Sequence, residues 1–340
     1  MTGSIMQVIV LAGGFGTRLR PWTNHVAKPL LPMLDKTLLE RVVEALPETL
    51  VDEVILAAGY KIDEMREHFS TVELPYKVTI VEETEPLGTG GAIANCRSHL
   101  RDETFCVMNG DLLSSVPVEE MLNFHNSQGG LATISLWEVE DPTRFGVCDI
   151  REDGKIYQFQ EKPALDDAVS NMINAGCYIL EPAIFERMPD GPHSMERDVY
   201  TEIASEGVLN GFGFEGHFVD AGTPPSWLEG VQICLDGGRW SSGGRGGFAN
   251  TSWIGDGVFD GAGPLSSAIG HGSTISPGAD VVRSALMSDV FIGDNASVVE
   301  CLIGEGAKIG AGVKLEGVVV DYGAEIPEGY SQVGGTYPES

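Results

Sequence analysis

The chain has 340 residues, enough for two cores rather than one. Its 21 Lys and Arg stand against 50 Asp and Glu, a formal charge of −29. That balance excludes a basic stripe for nucleic acid and disfavours an anionic membrane surface, so any phosphate it binds must meet a few focused cations.

Gln7–Ala12 is a compact apolar run ending at Gly13-Gly14, the pattern of a buried strand. Helical spacing over Leu38–Leu46 and Tyr60–Phe69 alternates with strand-like Glu53–Ala58 and Lys77–Val81. Gly90–Leu100 and Val118–His125 read as helices, and Phe105–Met108 and Ala132–Trp137 as strands. Such alternation predicts an α/β, Rossmann-like, mostly parallel sheet with helices on both faces, its ligands beyond the carboxyl ends of the strands. Phe145–Ile150 and Lys155–Gln160 flank a hairpin turn, Ile173–Leu180 is another apolar run, Phe212–Val219 is β-like, and a helix is expected over Pro225–Leu235.

Residues 237–250, rich in Gly and Ser, break the periodicity and read as a linker between a domain over 1–236 and a second over 251–340. In the second, Ile292, Val298, Ile303, Ile309, Leu315 and Ile326 recur at about six residues with Gly beside many of them. A hexapeptide period describes a β-solenoid, one inward aliphatic per short edge, irregular before Ile275.

No apolar run reaches the ~18–20 residues of a bilayer span, and Met1-Thr2-Gly3-Ser4 has no basic signal-peptide head. The six cysteines are scattered, without a C-x-x-C pair, so buried free thiols in a reducing cytoplasm are expected.

The turn after the first strand carries the chemistry. A dinucleotide fingerprint fails at Leu19, and a P-loop fails for want of a following Lys. What remains is a loop without bulky side chains, whose N–H groups can approach phosphate closely, carrying Arg18. From Gly13 to Pro29 it reads G-G-x-G-T-R-L-x-P-x-T-x-x-x-x-K-P, which resembles the signature of the sugar-1-phosphate nucleotidylyltransferases. Blocks in that family's order follow: Pro86–Ala92, Asn109-Gly110-Asp111, Phe145-Gly146-Val147, Glu161-Lys162-Pro163, Asn174-Ala175-Gly176 and Asp220–Pro224.

The resemblance implies attack by a sugar-1-phosphate oxygen on the α-phosphorus of a nucleoside triphosphate, with loss of pyrophosphate. It implies Arg18, Lys28 and Lys162 as catalytic cations, Lys162 holding the sugar phosphate. Leu11, Gly13, Gly14, Gly16, Thr17, Glu83, Gly88 and Asp111 would line the nucleotide, while Gly146, Glu161 and Asn174 would meet the sugar. Asp111 and Asp220 would hold Mg²⁺, a hard cation that takes few protein carboxylates alongside phosphate and water. His25 is a polar loop residue. The family's hexapeptide domain implies a left-handed parallel β-helix that supports the catalytic domain or joins subunits of a homo-oligomer.

Where pyrimidine-transferring relatives carry Gln, Glu83 stands here. A carboxylate only accepts, and guanine offers two donors, N1–H and the 2-amino group, so Glu83 points to GTP. The alternatives are that Glu82 or Glu85 faces the base, or that all three are solvated. Residues 138–142, 170–176 and 194–199 resemble the branch acting on mannose-1-phosphate. Heptose-1-phosphate guanylyltransferases, glucose-1-phosphate uridylyl- or thymidylyltransferases and a non-catalytic regulatory subunit remain rivals. A CoA-dependent acyltransferase in the solenoid would have only His271 as its base.

Overall fold

The computed structural model describes residues 5–236, 247–249 and 251–339. Among these, contacts define two compact units. One joins residues up to Gly14 with Glu44–Phe218, and the other joins Phe15–Val43 with Val219 onward. The grouping does not follow a boundary at 236, because Phe15–Val43 packs with the helix Pro224–Leu235 and the C-terminal coils. Most of the expected 237–250 linker lies outside the described residues; Gly247–Ala249 is an antiparallel strand against Ser252–Ile254.

In the first unit nine strands form one sheet: β1 (Met6–Leu11), β2 (Val51–Ala58), β3 (Lys77–Glu82), β4 (Phe105–Asn109), β5 (Ala132–Glu138), β6 (Gly146–Ile150), β7 (Ile156–Glu161), β8 (Met172–Leu180) and β9 (Leu209–Gly213). Their order is β7-β6-β8-β4-β1-β2-β3, with β5 beside β8 and β9 beside β5. From β3 through β4 the strands are parallel, each reached by a helical crossover. Beyond β4 the neighbours β8, β6 and β7 run antiparallel, β6 and β7 as a hairpin. Parallel pairing returns at β9, which runs alongside β5.

Ile9, Ile55, Val107, Ile134 and Tyr178 centre the core of this unit. Strand β1 is buried along almost its whole length, as an internal parallel strand must be. The expected strand over Phe212–Val219 divides into β9 and Phe218–Asp220, since the chain turns at Gly216 with φ 112°.

In the second unit, the C-terminal residues wind into three sheets of short parallel strands, a hexapeptide-repeat β-helix. Ala268 pairs with Ala285, Ala285 with Leu302 and Leu302 with Val319, so coils repeat every 17 residues. Inward residues Ile269, Ile275, Val281, Leu286, Ile292 and Val298 begin the stack, and Ile303, Ile309, Leu315, Val320 and Ile326 complete it. The regular repeat therefore starts one edge earlier than expected, at Ile269. One corner carries a ladder in which the Ser252, Ser267 and Ser284 hydroxyls accept from the N–H groups of Ser267, Ser284 and Cys301 on the next coil.

The helix Pro224–Leu235 starts with a capping box between Thr223 and Ser226 and a proline where no N–H is needed. It buries Trp227, Leu228, Val231 and Cys234. No helix among the described residues is long and apolar enough to cross a membrane.

Candidate active site

The expected site residues fall in both units. Leu11, Gly13, Gly14, Glu83, Gly88, Asp111, Gly146, Glu161, Lys162 and Asn174 belong to the first; Gly16, Thr17, Arg18, Lys28 and Asp220 belong to the second.

In the first unit, β1 ends at Leu11, whose carbonyl accepts the Gly110 N–H at 2.9 Å. This bond brings the loop carrying Asp111 to the carboxyl end of β1. Glu83, just past β3, is held by its N–H to the Ala58 carbonyl at 2.8 Å. A Cβ on Gly13 would meet Glu83 Oε1 at 2.7 Å, so the carboxylate lies directly on the glycine backbone. Gly14 has open space beside it. Burial pushes the Glu83 carboxyl above the usual glutamate range, against a Leu87 N–H that favours its ionised form. Glu82 instead pairs with Arg66 at 2.7 Å, and Glu85 is exposed. Of the three glutamates, only Glu83 turns toward the strand ends.

Gly88 opens the helix Gly88–Asn95 with φ 71°, where a Cβ would strike the His193 carbonyl. That carbonyl accepts the N–H groups of Gly90 and Gly91, and the Leu87 carbonyl accepts the His193 N–H. Nearby, the Glu196 carboxylate accepts from the hydroxyls of Thr89 and Ser194, each at 2.7 Å. The segment 193–196 thus clamps the Gly88–Gly91 turn and takes N–H groups a helix start leaves unsatisfied. Glu196 sits in a single π-helix, Met195–Tyr200, a form often found at functional sites. No local signal in the sequence marks this clamp. The serine, methionine and glutamate at 194–196 were visible, but their partners lie about 100 residues away.

Of the residues expected to meet the sugar, Gly146 and Glu161 face each other across β6 and β7. A side chain at Gly146 would collide with the Phe159 ring, so glycine is required there for packing as well. Lys162 has φ 50°, a left-handed conformation costing roughly 1–2 kcal/mol for a residue other than glycine. Its N–H is fixed on the Phe145 carbonyl, and its ammonium lies 3.1 Å from Glu161 Oε1. Asn174 lies within β8, at an irregularity in pairing with β5. Its Oδ1 accepts from Gly176 N and its Nδ2 donates to the Tyr178 hydroxyl. Burial, then the nearby Glu196, pushes the Tyr178 phenol far up, so it stays protonated.

In the second unit the signature loop folds around Gly16, φ 62°. The Thr23 hydroxyl donates to the Gly16 carbonyl at 2.9 Å, and a Cβ on Gly16 would meet both Lys28 and Thr23 at 2.9 Å. Lys28 is only 7% exposed, whereas Thr17 and Arg18 face solvent. Arg18 Nη2 stands 3.8 Å from the Asp220 carboxylate, over Gly222. The second unit therefore sets Lys28 and Arg18 against glycines of its turns, and the first carries Lys162 at the end of β7. Such an arrangement can orient anionic groups and offset their charge, which is what transfer between phosphates requires.

Residues 7–236 match the nucleotidyl transferase family model, and residues 260–337 match a GlmU-like C-terminal hexapeptide model. Mannose-1-phosphate guanylyltransferase 1 of Arabidopsis thaliana is 39% identical over 243 residues, 70% of this chain and 67% of the relative. The Oryza sativa subsp. japonica protein named "Probable mannose-1-phosphate guanylyltransferase 3" is 36% identical over 290 residues, 84% of this chain and 78% of its own. Among solved structures, HddC from Yersinia pseudotuberculosis complexed with GMP-PN is 31% identical with a TM-score of 0.58, over 67% of this chain and 99% of that one. The matched span takes in the glycine turn, the Glu83 loop and the Lys162 hairpin, and this chain belongs to the nucleotidyl transferase family.

Proposed function

We propose that the enzyme transfers the guanylyl group of GTP to mannose-1-phosphate, giving GDP-mannose and pyrophosphate. A phosphate oxygen of the sugar attacks the α-phosphorus, and the bond to the β-phosphate breaks with its electron pair leaving on pyrophosphate. The nucleophile is already an anion, so no side chain need deprotonate it. Arg18 and Lys28 grip the triphosphate and offset charge on the leaving group. Lys162 holds the sugar phosphate in line, while Glu161, Asn174 and the Gly146 backbone orient the sugar hydroxyls. Leu11, Gly13, Gly14, Gly16, Thr17 and Gly88 line the nucleotide.

Glu83 carries the base assignment. Its carboxylate, seated on Gly13 and drawn partly out of water, accepts from guanine N1–H and the 2-amino group. A uracil or thymine edge would instead place a carbonyl against it.

Asp111 and Asp220 supply hard oxygen donors of the kind Mg²⁺ takes. Mg²⁺ takes few protein carboxylates, and phosphate oxygens and water would complete its shell. When bound, the ion neutralises charge on the reacting phosphates. The six buried cysteines, none in a disulfide, suit a reducing cytoplasm. Phe259 and Phe291, exposed in one sheet of the β-helix, offer an apolar patch for a homo-oligomer.

The test is an activity panel: GTP, UTP, dTTP and ATP, each with mannose-, glucose- and heptose-1-phosphate, read as phosphate after pyrophosphatase. GTP with mannose-1-phosphate should lead. UTP or dTTP far ahead of GTP overturns the base assignment, and a faster sugar overturns the mannose assignment.

A further inference from the structure

The loop that carries Arg18 and Lys28 has little internal structure. It consists of a 3-10 turn (Thr17–Leu19), one helical turn (Trp22–His25) and another 3-10 turn (Lys28–Leu30). Pieces this short do not hold a shape by their own hydrogen bonds. The Thr23–Gly16 bond ties the loop to itself. Its orientation has to come from what it rests on.

It rests on the β-helix. Trp22 is 1% exposed, and its indole N–H donates to the Val320 carbonyl at 3.1 Å. Its ring meets Trp227 edge-on at 6.4 Å. Three residues on, His25 Nε2 lies 2.8 Å from Asp321 Oδ1, and its ring stacks on Tyr322 at 4.3 Å. Neighbouring residues on one coil thus receive neighbouring residues of the loop, across nearly 300 positions of sequence.

The platform is stiff. Val320 belongs to the solenoid core, and Val319-Val320 is paired on both sides, with Leu302-Ile303 and with Thr336-Tyr337. The Val320 carbonyl also takes the Gly304 N–H of the neighbouring coil, and Asp321 Oδ1 takes the Tyr322 N–H. The acceptors that meet Trp22 and His25 are therefore fixed by the solenoid's own bonding.

We propose that this coil holds the Arg18–Lys28 loop in its working geometry, with Trp22 and His25 as positioning residues for the transfer step. The inference rests on the reading that Arg18 and Lys28 act on the triphosphate. It gives the solenoid a part in catalysis that needs neither an acyl-transfer site nor a partner subunit.

Steady-state kinetics of the full chain with GTP and mannose-1-phosphate test it. His25→Ala and Asp321→Ala should each lower kcat about tenfold, since small displacements of reacting groups are costly. The KM for mannose-1-phosphate, met by residues of the other unit, should change less than about twofold. The double variant should lose little more than the worse single, the mark of one shared contact. Asp321→Asn keeps the Oδ1 acceptor and should restore most of kcat. Trp22→Phe keeps an aromatic ring, loses the N–H, and should raise the KM for pyrophosphate in the reverse reaction. Normal kcat in His25→Ala, strictly additive losses, or no rescue by Asp321→Asn overturns the proposal, and Asp321→Asn with Trp22→Phe decides it if Asp321→Ala does not fold. Arg18→Ala separates the two readings. If it is inactive while His25→Ala is normal, the positioning role alone fails; if it turns over normally, the phosphate role of the loop fails too.

Discussion

Glu83 gives up part of its hydration to lie on Gly13, and that placement has a signed consequence. Its carboxyl titrates above the ordinary value of 4.5 because burial disfavours the charge. Below that value the group is protonated whether the chain is folded or not. As pH rises, the unfolded chain ionises first and the folded one holds its proton, so burying Glu83 costs progressively more up to its raised folded pKa. Glu83→Gln should therefore raise Tm at neutral pH, with the gain fading as pH falls toward 4.5. The same variant should raise the KM for GTP by about 10- to 100-fold, the loss of a charge-assisted bond pair. Thermal melts across pH and GTP titrations check the two halves, and an unchanged KM removes Glu83 from the base site. The side chain that recognises the base would thus be a local burden on the fold.

Between elements, two devices carry contacts that local sequence does not announce. The clamp from 193–196 onto Gly88–Gly91 satisfies helix-start N–H groups from outside the helix. Thr89→Val removes the hydroxyl that joins Glu196 to Met195 N. It should raise the KM for GTP several-fold, about 1 kcal/mol of lost ordering, with little change in the KM for mannose-1-phosphate. Equal loss on both substrates would show a general loosening instead. In the solenoid, Ser284 is fully buried, and its hydroxyl takes the Cys301 N–H. Ser284→Ala strands that N–H and should cost about 1–3 kcal/mol in urea unfolding of the β-helix. A cost near zero would mean the corner ladder contributes nothing. The hexapeptide spacing is legible in the residues themselves, since each inward aliphatic is set by its own coil. The ladder is not, because a serine at a corner looks like any turn serine until the coil beneath it is known.

Over the whole molecule the dominant quantity is charge. At −29 the folded chain repels itself, and salt shortens the reach of that repulsion from about 10 Å at 0.1 M to about 3 Å at 1 M. Tm should rise by roughly 3–5 °C between low-salt buffer and molar KCl, a gain of about 2–4 kcal/mol for a protein of this size. Matching melts in both would show that the acidic surface carries no such burden. The same field explains why the cations of the signature matter. Arg18 and the buried Lys28 are local exceptions in a field that turns phosphates away, and their loop rests on a rigid coil.

Local order and composition determined the catalytic class. The glycine turn with Arg18 and Lys28, the strand–helix alternation through β4 and the aliphatic period of the coils all follow from residues near one another in sequence. Their physics is that of backbone freedom, periodic burial and charge at short range. Tertiary structure alone decided which of Glu82, Glu83 and Glu85 leaves solvent, that Asn174 sits at an irregularity inside a strand, that 193–196 closes on the Gly88 turn, and that Trp22 and His25 meet Val320 and Asp321. Each joins groups dozens to hundreds of residues apart. Neither partner's neighbourhood specifies such a contact, since only packing fixes which distant acceptor a buried donor finds.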